Sequence, residues 1–373
     1  MSAGRNVEAL VIGGGLAGLA MSRQLHRAGI GFHTIEQRPA FGNEGFAINL
    51  PGNAIAALNE MGLGQQLARI GRPTRRREYR DHRDRLLFDV DEDAFWGDAC
   101  RPRCVKRSAL LALLREGLPE TVLSMSSRIE GIARRASGVV VSASGVGEID
   151  ARLVIGADGA HSRTRALTFP QAGVRAAVLS RSSWRFLAPD PGVDCWTVWA
   201  GADALFLLIP LGNGEVYGWA SSMAAVEEGK PSAAFGHLFR AFPGAVRRTA
   251  HYLDAHPGQL HHSPLEEVRI PAWGNEHVVL IGDAAHATAP VWAQGGAMAF
   301  EDALALASIL ENGADWTRAA AQFESARRER VDHVQAMTDK TSRAARLPFR
   351  IRNLLLPFVG PKHYRAAYGA LRA

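Results

Sequence analysis

Three segments far apart in the chain each run from a short apolar stretch into glycines, with an acid at a spacing suited to binding chemistry. In the first, the apolar run Glu8 to Ile12 leads directly into Gly13, Gly15 and Gly18. In a nucleotide-binding turn the first glycine permits a tight bend, the second lets the backbone approach a pyrophosphate, and the third lets the helix pack close to the strand. The following helix would begin with unpaired N–H groups and the positive end of its dipole aimed at the phosphates. Its apolar stripe of Leu16, Leu19, Ala20 and Leu25 ends at Gly29, and Ile30 to Ile35 reads as the next strand. Glu36 closes that strand about 20 residues past the glycines, where a carboxylate accepts from a ribose hydroxyl.

The other two segments repeat the pattern of a buried strand followed by a turn with an acid. Ala151 to Ile155 runs into Gly156-Ala157-Asp158-Gly159, and His277 to Ile281 into Gly282-Asp283, then Pro290 and Gln294-Gly295-Gly296-Ala297. Apolar runs without polar alternation belong in a parallel sheet covered on both faces, and ligands of such sheets collect at the carboxyl ends of the strands. Asp158 reads equally well as a helix cap. The glycine-rich start of the last helix offers free N–H groups and positive potential to a bound group.

Composition narrows the remaining classes. The 373 residues, 47% apolar and 21% charged, suffice for two compact lobes with ample core. The net charge of +6 is concentrated between Arg72 and Arg85, but Glu78, Asp81 and Asp84 interrupt that run and no aromatic stacking platform accompanies it. It reads as a solvated edge strand and hairpin, with attraction of an anionic nicotinamide cofactor as the second reading and no nucleic-acid partner. No apolar run is long enough for an integral membrane segment, and Cys100, Cys104 and Cys195 form no disulfide framework, so a reduced cytoplasmic protein is expected. There is no GxxxxGK[ST], HExxH or GxSxG. His251, His256, His261 and His262 do not share a helix face, so no metal is expected, and His286 reads as a packing and hydrogen-bonding residue.

In this order and at these separations, and with Arg107 in Cys104-Val105-Lys106-Arg107-Ser108, the segments resemble the signature set of the class A, single-component flavoprotein monooxygenases, the para-hydroxybenzoate and salicylate hydroxylase-like family. The resemblance implies a Rossmann-like α/β FAD-binding domain interleaved with a smaller β-sheet-rich substrate domain, plus C-terminal helices. It implies FAD as cofactor and NADH or NADPH as transient co-substrate. It further implies that an oxygen atom from O2 passes through a flavin C4a-hydroperoxide to a small aromatic or polycyclic compound. Epoxidation, heteroatom oxidation and a non-catalytic FAD-binding role stay open beside hydroxylation. The cofactor residues it implies are Gly13, Gly15, Gly18, Glu36, Arg38, Arg107 and Asp158 near the nucleotide, Asp283 on the ribityl hydroxyls, and Pro290, Gly295, Gly296 and Ala297 beside the ring. The loop Gly45 to Leu50 would flank the isoalloxazine. Ala293 stands where a glycine is usual, and Met298 where some relatives carry asparagine.

The expected division is 1–72, 101–176 and 266–335 for the FAD domain, 73–100 and 177–265 for the substrate domain, and 336–373 for a helical tail. Short aromatic strands in the second domain nominate Arg185, Trp196, Phe206, Leu208 and Tyr217 as pocket residues, joined by Trp292 from the glycine-rich loop. No spacing compels a catalytic base, and Arg185, Tyr217 and His237 are all open. The tail reads as a helix docked across both domains; its basic and apolar residues would also suit weak attachment to an anionic membrane surface.

Overall fold

The protein is described from a computed structural model that covers residues 5–41, 46–135, 138–177, 182–223, 235–313 and 315–372. Residue 45 of the expected ring-side loop lies outside them. The N-terminal strand Arg5–Ile12 sits mid-sheet, parallel to Phe32–Ile35 on one side and to Gly147–Gly156 on the other. Gly147–Gly156 in turn pairs in parallel with Val278–Leu280, while Gly138–Ala143 and Ile129–Arg135 extend the sheet in antiparallel fashion. The register aligns Ile12 with Ile35 and Gly156, and Gly156 with Leu280. All three acid-bearing turns therefore leave the sheet at one edge, which is the geometric condition for a shared ligand.

Helix Leu16–Arg27 packs on this sheet beside helix Gln294–Asn312. The approach is close because of its glycines. A Cβ on Gly18 would lie 1.8 Å from the Gly13 carbonyl oxygen, and Gly13 itself has φ +108°, a conformation open to glycine and strained for other residues.

The second sheet runs in the order Leu260–Ser263, Ser182–Pro189, Glu215–Ser222, Ala204–Gly212, Trp196–Ala200, Arg76–Asp81, Leu86–Asp91. Strand alternation divides its side chains between two faces. Trp184, Phe186, Phe206 and Leu208 pack with Phe235, Phe239, Val246 and Leu253 on a far face covered by helices Phe235–Leu238 and Gly244–Ala255. Trp196, Ile209 and Tyr217 occupy the near face, against Ala47 and Cys104 of the small sheet formed by Ala47–Leu50, Arg103–Lys106 and Arg72–Pro73.

Three expectations need correction here. The boundary at 335/336 falls inside one helix, Ala319–Ala345, because Val331, Val334 and Met337 carry a buried stripe across it. The tail is not one helix: its first residues complete Ala319–Ala345, and a separate terminal helix spans Phe349–Gly369, continuing through Pro357 and Pro361. Proline weakens a helix interior, and docking of Gly360, Tyr364 and Tyr368 on the body of the protein offsets that cost. The basic run is solvated except at Arg77, which is buried and ion-paired to the equally buried Glu92. Arg77 lies over the rings of Trp196, Tyr364 and Tyr368, a position where an arginine retains its charge and stacks at the same time. Among the described residues no helix is long and apolar enough to cross a membrane.

Candidate functional site

Gly13, Gly15, Glu36, Arg38, Arg107 and Asp158 line one cleft at the sheet edge. Glu36 is buried and oriented by backbone: Gly14 N donates to its Oε2 at 2.6 Å and Arg38 N to its Oε1 at 2.9 Å. Each oxygen keeps a second lone pair for an incoming hydroxyl. A Cβ on Gly15 would meet nothing within 4 Å, so that glycine faces open space where Gly18 faces backbone. The space leaves the backbone at Gly15 open to close approach by another group.

Ser162 caps helix Arg163–Thr168, accepting from Arg165 N at 2.8 Å, and Asp158 braces the cap: Thr164 N and Thr164 Oγ1 donate to its Oδ2 at 2.9 and 3.0 Å, and Ser162 Oγ donates to Oδ1. Arg165 ties this turn to the third one by donating to the Ala284 carbonyl at 2.9 Å. Asp283 is exposed between buried neighbours, its Oδ1 3.5 Å from where a Cβ on Gly295 would stand. It attracts Arg107, whose guanidinium pKa is pushed down by burial, partly countered by Asp283 and lowered further by Arg38 and Arg185.

The turn carrying Asp283 is held from beneath by buried groups that the motifs did not announce. Asp302 Oδ2 accepts from Gly282 N at 2.9 Å and from His286 Nε2 at 2.7 Å, and its Oδ1 accepts from Arg327 Nε at 2.9 Å. Arg327 also donates to Glu301, which accepts from Asn53, and Asn53 and Gln294 exchange hydrogen bonds through their amides. These partners lie hundreds of positions apart in some cases, so no local pattern could signal them.

The glycine-rich loop makes the turn Pro290–Trp292 and then begins helix Gln294–Asn312. Gly296 lies so near Ile48 that a Cβ would come within 2.9 Å of its Cδ1, and Ala297 is fully buried behind it. Ala293, at the junction, has φ 54° and ψ 33°, which explains why glycine suits this position. Ala293→Gly is expected to stabilise the protein by about 0.5–1 kcal/mol, the relief of left-handed strain less the greater unfolded-state freedom of glycine. Chemical denaturation checks this; a loss of stability would mean that the strain is not there.

The expected pocket residues separate sharply. Phe206 and Leu208 are on the far face of the second sheet, in its core, because residues two apart share a face and theirs is turned towards the helices. His237 lies on a helix covering that same far side. Trp196 fills the near-face core against Arg77, and the Trp292 ring packs on Tyr368 and His363 of the terminal helix, with ring centroids 5.4 Å apart in both pairs. Tyr368 Oη also donates to the Trp292 carbonyl at 2.7 Å, fastening the loop to the tail. Arg185 and Tyr217 remain. Both are close enough to Arg107 to perturb its charge, and burial pushes the Tyr217 hydroxyl up to about 12, with the nearby Arg185 opposing the rise.

Comparison with known proteins agrees with this geometry. The chain matches the family described as FAD binding domain over residues 6–341 and belongs to it. It is 28% identical over 335 residues to the aurachin C monooxygenase/isomerase of Stigmatella aurantiaca, covering 87% of this chain and 85% of that protein. It is 30% identical over 315 residues to the 2-heptyl-3-hydroxy-4(1H)-quinolone synthase of Pseudomonas aeruginosa, covering 80% of each. The crystal structure of Klebsiella pneumoniae HpxO complexed with FAD and uric acid shares the fold, with a TM-score of 0.78 at 23% identity over 98% of this chain and 92% of that one. The protein is an FAD-dependent monooxygenase of the class A type, with a Rossmann-like α/β fold and C-terminal helices.

Proposed function

We propose that the protein oxygenates a flat, largely apolar heteroaromatic compound of the quinolone type, held by Arg185 and Tyr217 of the second lobe against the flavin side of the first. The observation that carries this reading is that Asp283, Arg185 and Tyr217 all lie close enough to Arg107 to act on its charge, which sets the second-lobe pair near the residues assigned to the flavin. The names of the two sequence relatives, an aurachin monooxygenase and a quinolone synthase, support the substrate class.

The chain's residues fit FAD. Gly15 would admit its pyrophosphate on a turn that Gly13 and Gly18 allow to close, Glu36 would accept from the adenosine ribose, Arg38, Arg107 and Asp158 would border the nucleotide, and Asp283 would accept from the ribityl hydroxyls. Pro290, Gly295, Gly296 and Ala297 would flank the ring, where N–H groups at the helix start supply positive potential. When bound, FAD supplies hydride acceptance from NADH or NADPH and the activation of dioxygen. The protein contributes orientation and exclusion of water. Tyr217 is neutral throughout the physiological range, and Arg185 is the cation beside it, so together they can hold a carbonyl or hydroxyl of the substrate. Free thiols at Cys100, Cys104 and Cys195 suit a reducing cytoplasmic setting.

With an alkyl quinolone as substrate, NAD(P)H and O2 should disappear in equal amounts and one atom of labelled O2 should enter the product. Product oxygen derived from water, in a compound that does not exchange with solvent, would reject the reading. Arg185→Met should raise KM about tenfold to a hundredfold, the loss of one charge-assisted hydrogen bond, with FAD content unchanged. An unchanged KM would remove Arg185 from the pocket.

A further inference from the structure

The terminal helix Phe349–Gly369 has two unlike faces. Its inner face is fastened to the protein: Gly360 abuts the Phe88 ring so closely that a Cβ would come within 2.4 Å, Tyr364 and Tyr368 enter the cluster around Arg77, and Arg352 donates to the Gly201 carbonyl. Its outer face carries Ile351, Leu354, Leu355, Phe358 and Val359, all exposed, Leu354 at 71% and Phe358 at 72%. Spacings of three, four and seven residues place these on one stripe. The exposed Lys362 and Arg365 continue that stripe four and seven residues beyond Phe358.

Charge decides what could cover such a face. After Asp339 the chain contains eight lysines and arginines and neither aspartate nor glutamate. A second copy would set Lys362 and Arg365 against their own counterparts if the helices packed in parallel, and against the exposed Arg346 and Arg350 if they packed antiparallel. An anionic surface matches both the apolar stripe and its basic end.

We propose that the outer face of the terminal helix docks on an anionic phospholipid bilayer, lying in the interface plane with Leu354 and Phe358 at the acyl boundary and Arg350, Lys362 and Arg365 among the phosphates. The attachment is peripheral, since no helix among the described residues is built to cross the bilayer. It does not depend on the substrate assignment, because none of these residues borders the cleft.

Co-sedimentation of the full-length, FAD-loaded protein with vesicles tests this. Binding to vesicles of phosphatidylcholine with phosphatidylglycerol at low salt should exceed binding to phosphatidylcholine alone by tenfold or more, and should weaken as salt shortens the screening length. The double variant Leu354→Ser/Phe358→Ser should lower partition into the mixed vesicles about tenfold or more while FAD content and basal NADH oxidation stay at wild-type levels. Lys362→Glu/Arg365→Glu should do the same on the anionic vesicles only. The proposal is overturned if wild-type protein fails to sediment with anionic vesicles at low salt, or if the serine variant binds as well as wild type. It is also overturned if sedimentation velocity without lipid shows a dimer that the serine variant dissolves, since the face would then serve self-association.

Discussion

Apoprotein carrying Gly15→Val will unfold at the temperature of wild-type apoprotein and yet remain colourless when FAD is added, whereas Gly18→Val will lose stability before any cofactor is present. The two glycines are three residues apart and belong to one motif, but their surroundings are opposite. A Cβ on Gly15 enters empty space, while a Cβ on Gly18 lies 1.8 Å from the Gly13 carbonyl oxygen. A valine at 15 therefore clashes only with the incoming pyrophosphate, and the expected loss in FAD affinity is about 3 kcal/mol or more, at least a hundredfold in Kd. A valine at 18 forces helix Leu16–Arg27 off the sheet, an overpacking cost of about 3 kcal/mol that no rotamer relieves. Calorimetry of the apoproteins and FAD titration by fluorescence separate the effects. Full FAD uptake by Gly15→Val would refute the placement of the cofactor.

Removing Asp302 is expected to cost more than removing any single residue that touches the cleft. The carboxylate is fully buried, and burial alone would raise its pKa; His286, Arg327 and the Gly282 N–H outweigh that effect and hold it at about 2. The folded value thus lies below the unfolded value of about 3.9, so the carboxylate stabilises the fold above that pH by about 2–3 kcal/mol, and the contribution disappears as pH falls towards 2. Asp302→Ala leaves Gly282 N, His286 and one side of Arg327 without their acceptor, a loss of about 3–5 kcal/mol. It also releases the turn that presents Asp283, so FAD affinity should fall with stability. Acid unfolding provides the check: the wild type should lose stability between about pH 4 and pH 2 more steeply than Asp302→Asn. Parallel acid profiles would show that another carboxylate governs that range.

Much of the first lobe was legible because its information is local. A strand, a glycine turn and an acid lie within a few residues of one another at Asp158 and Asp283 and within one strand–helix–strand unit from Gly13 to Glu36, and uninterrupted apolar runs already imply a parallel sheet whose turns gather at one edge. Ala293 was visible as a departure from glycine, and its left-handed backbone supplies the reason.

Where a signal depended on distant partners, the sequence was mute. Alternation along Ala204–Gly212 says that Phe206 and Leu208 share a face, but not whether that face looks towards the cleft or towards helix Gly244–Ala255. Arg77 sits in a run of arginines that differ little as neighbours in the chain. Only the arrival of Glu92, Trp196, Tyr364 and Tyr368 around it makes that one buried and paired. The support of the Asp283 turn by Asp302, Arg327 and Asn53 is likewise invisible along the chain. Local geometry follows from backbone sterics and side-chain period, which neighbouring residues contain; which charges are desolvated, and which apolar faces meet, depends on packing between elements that only the folded chain brings together.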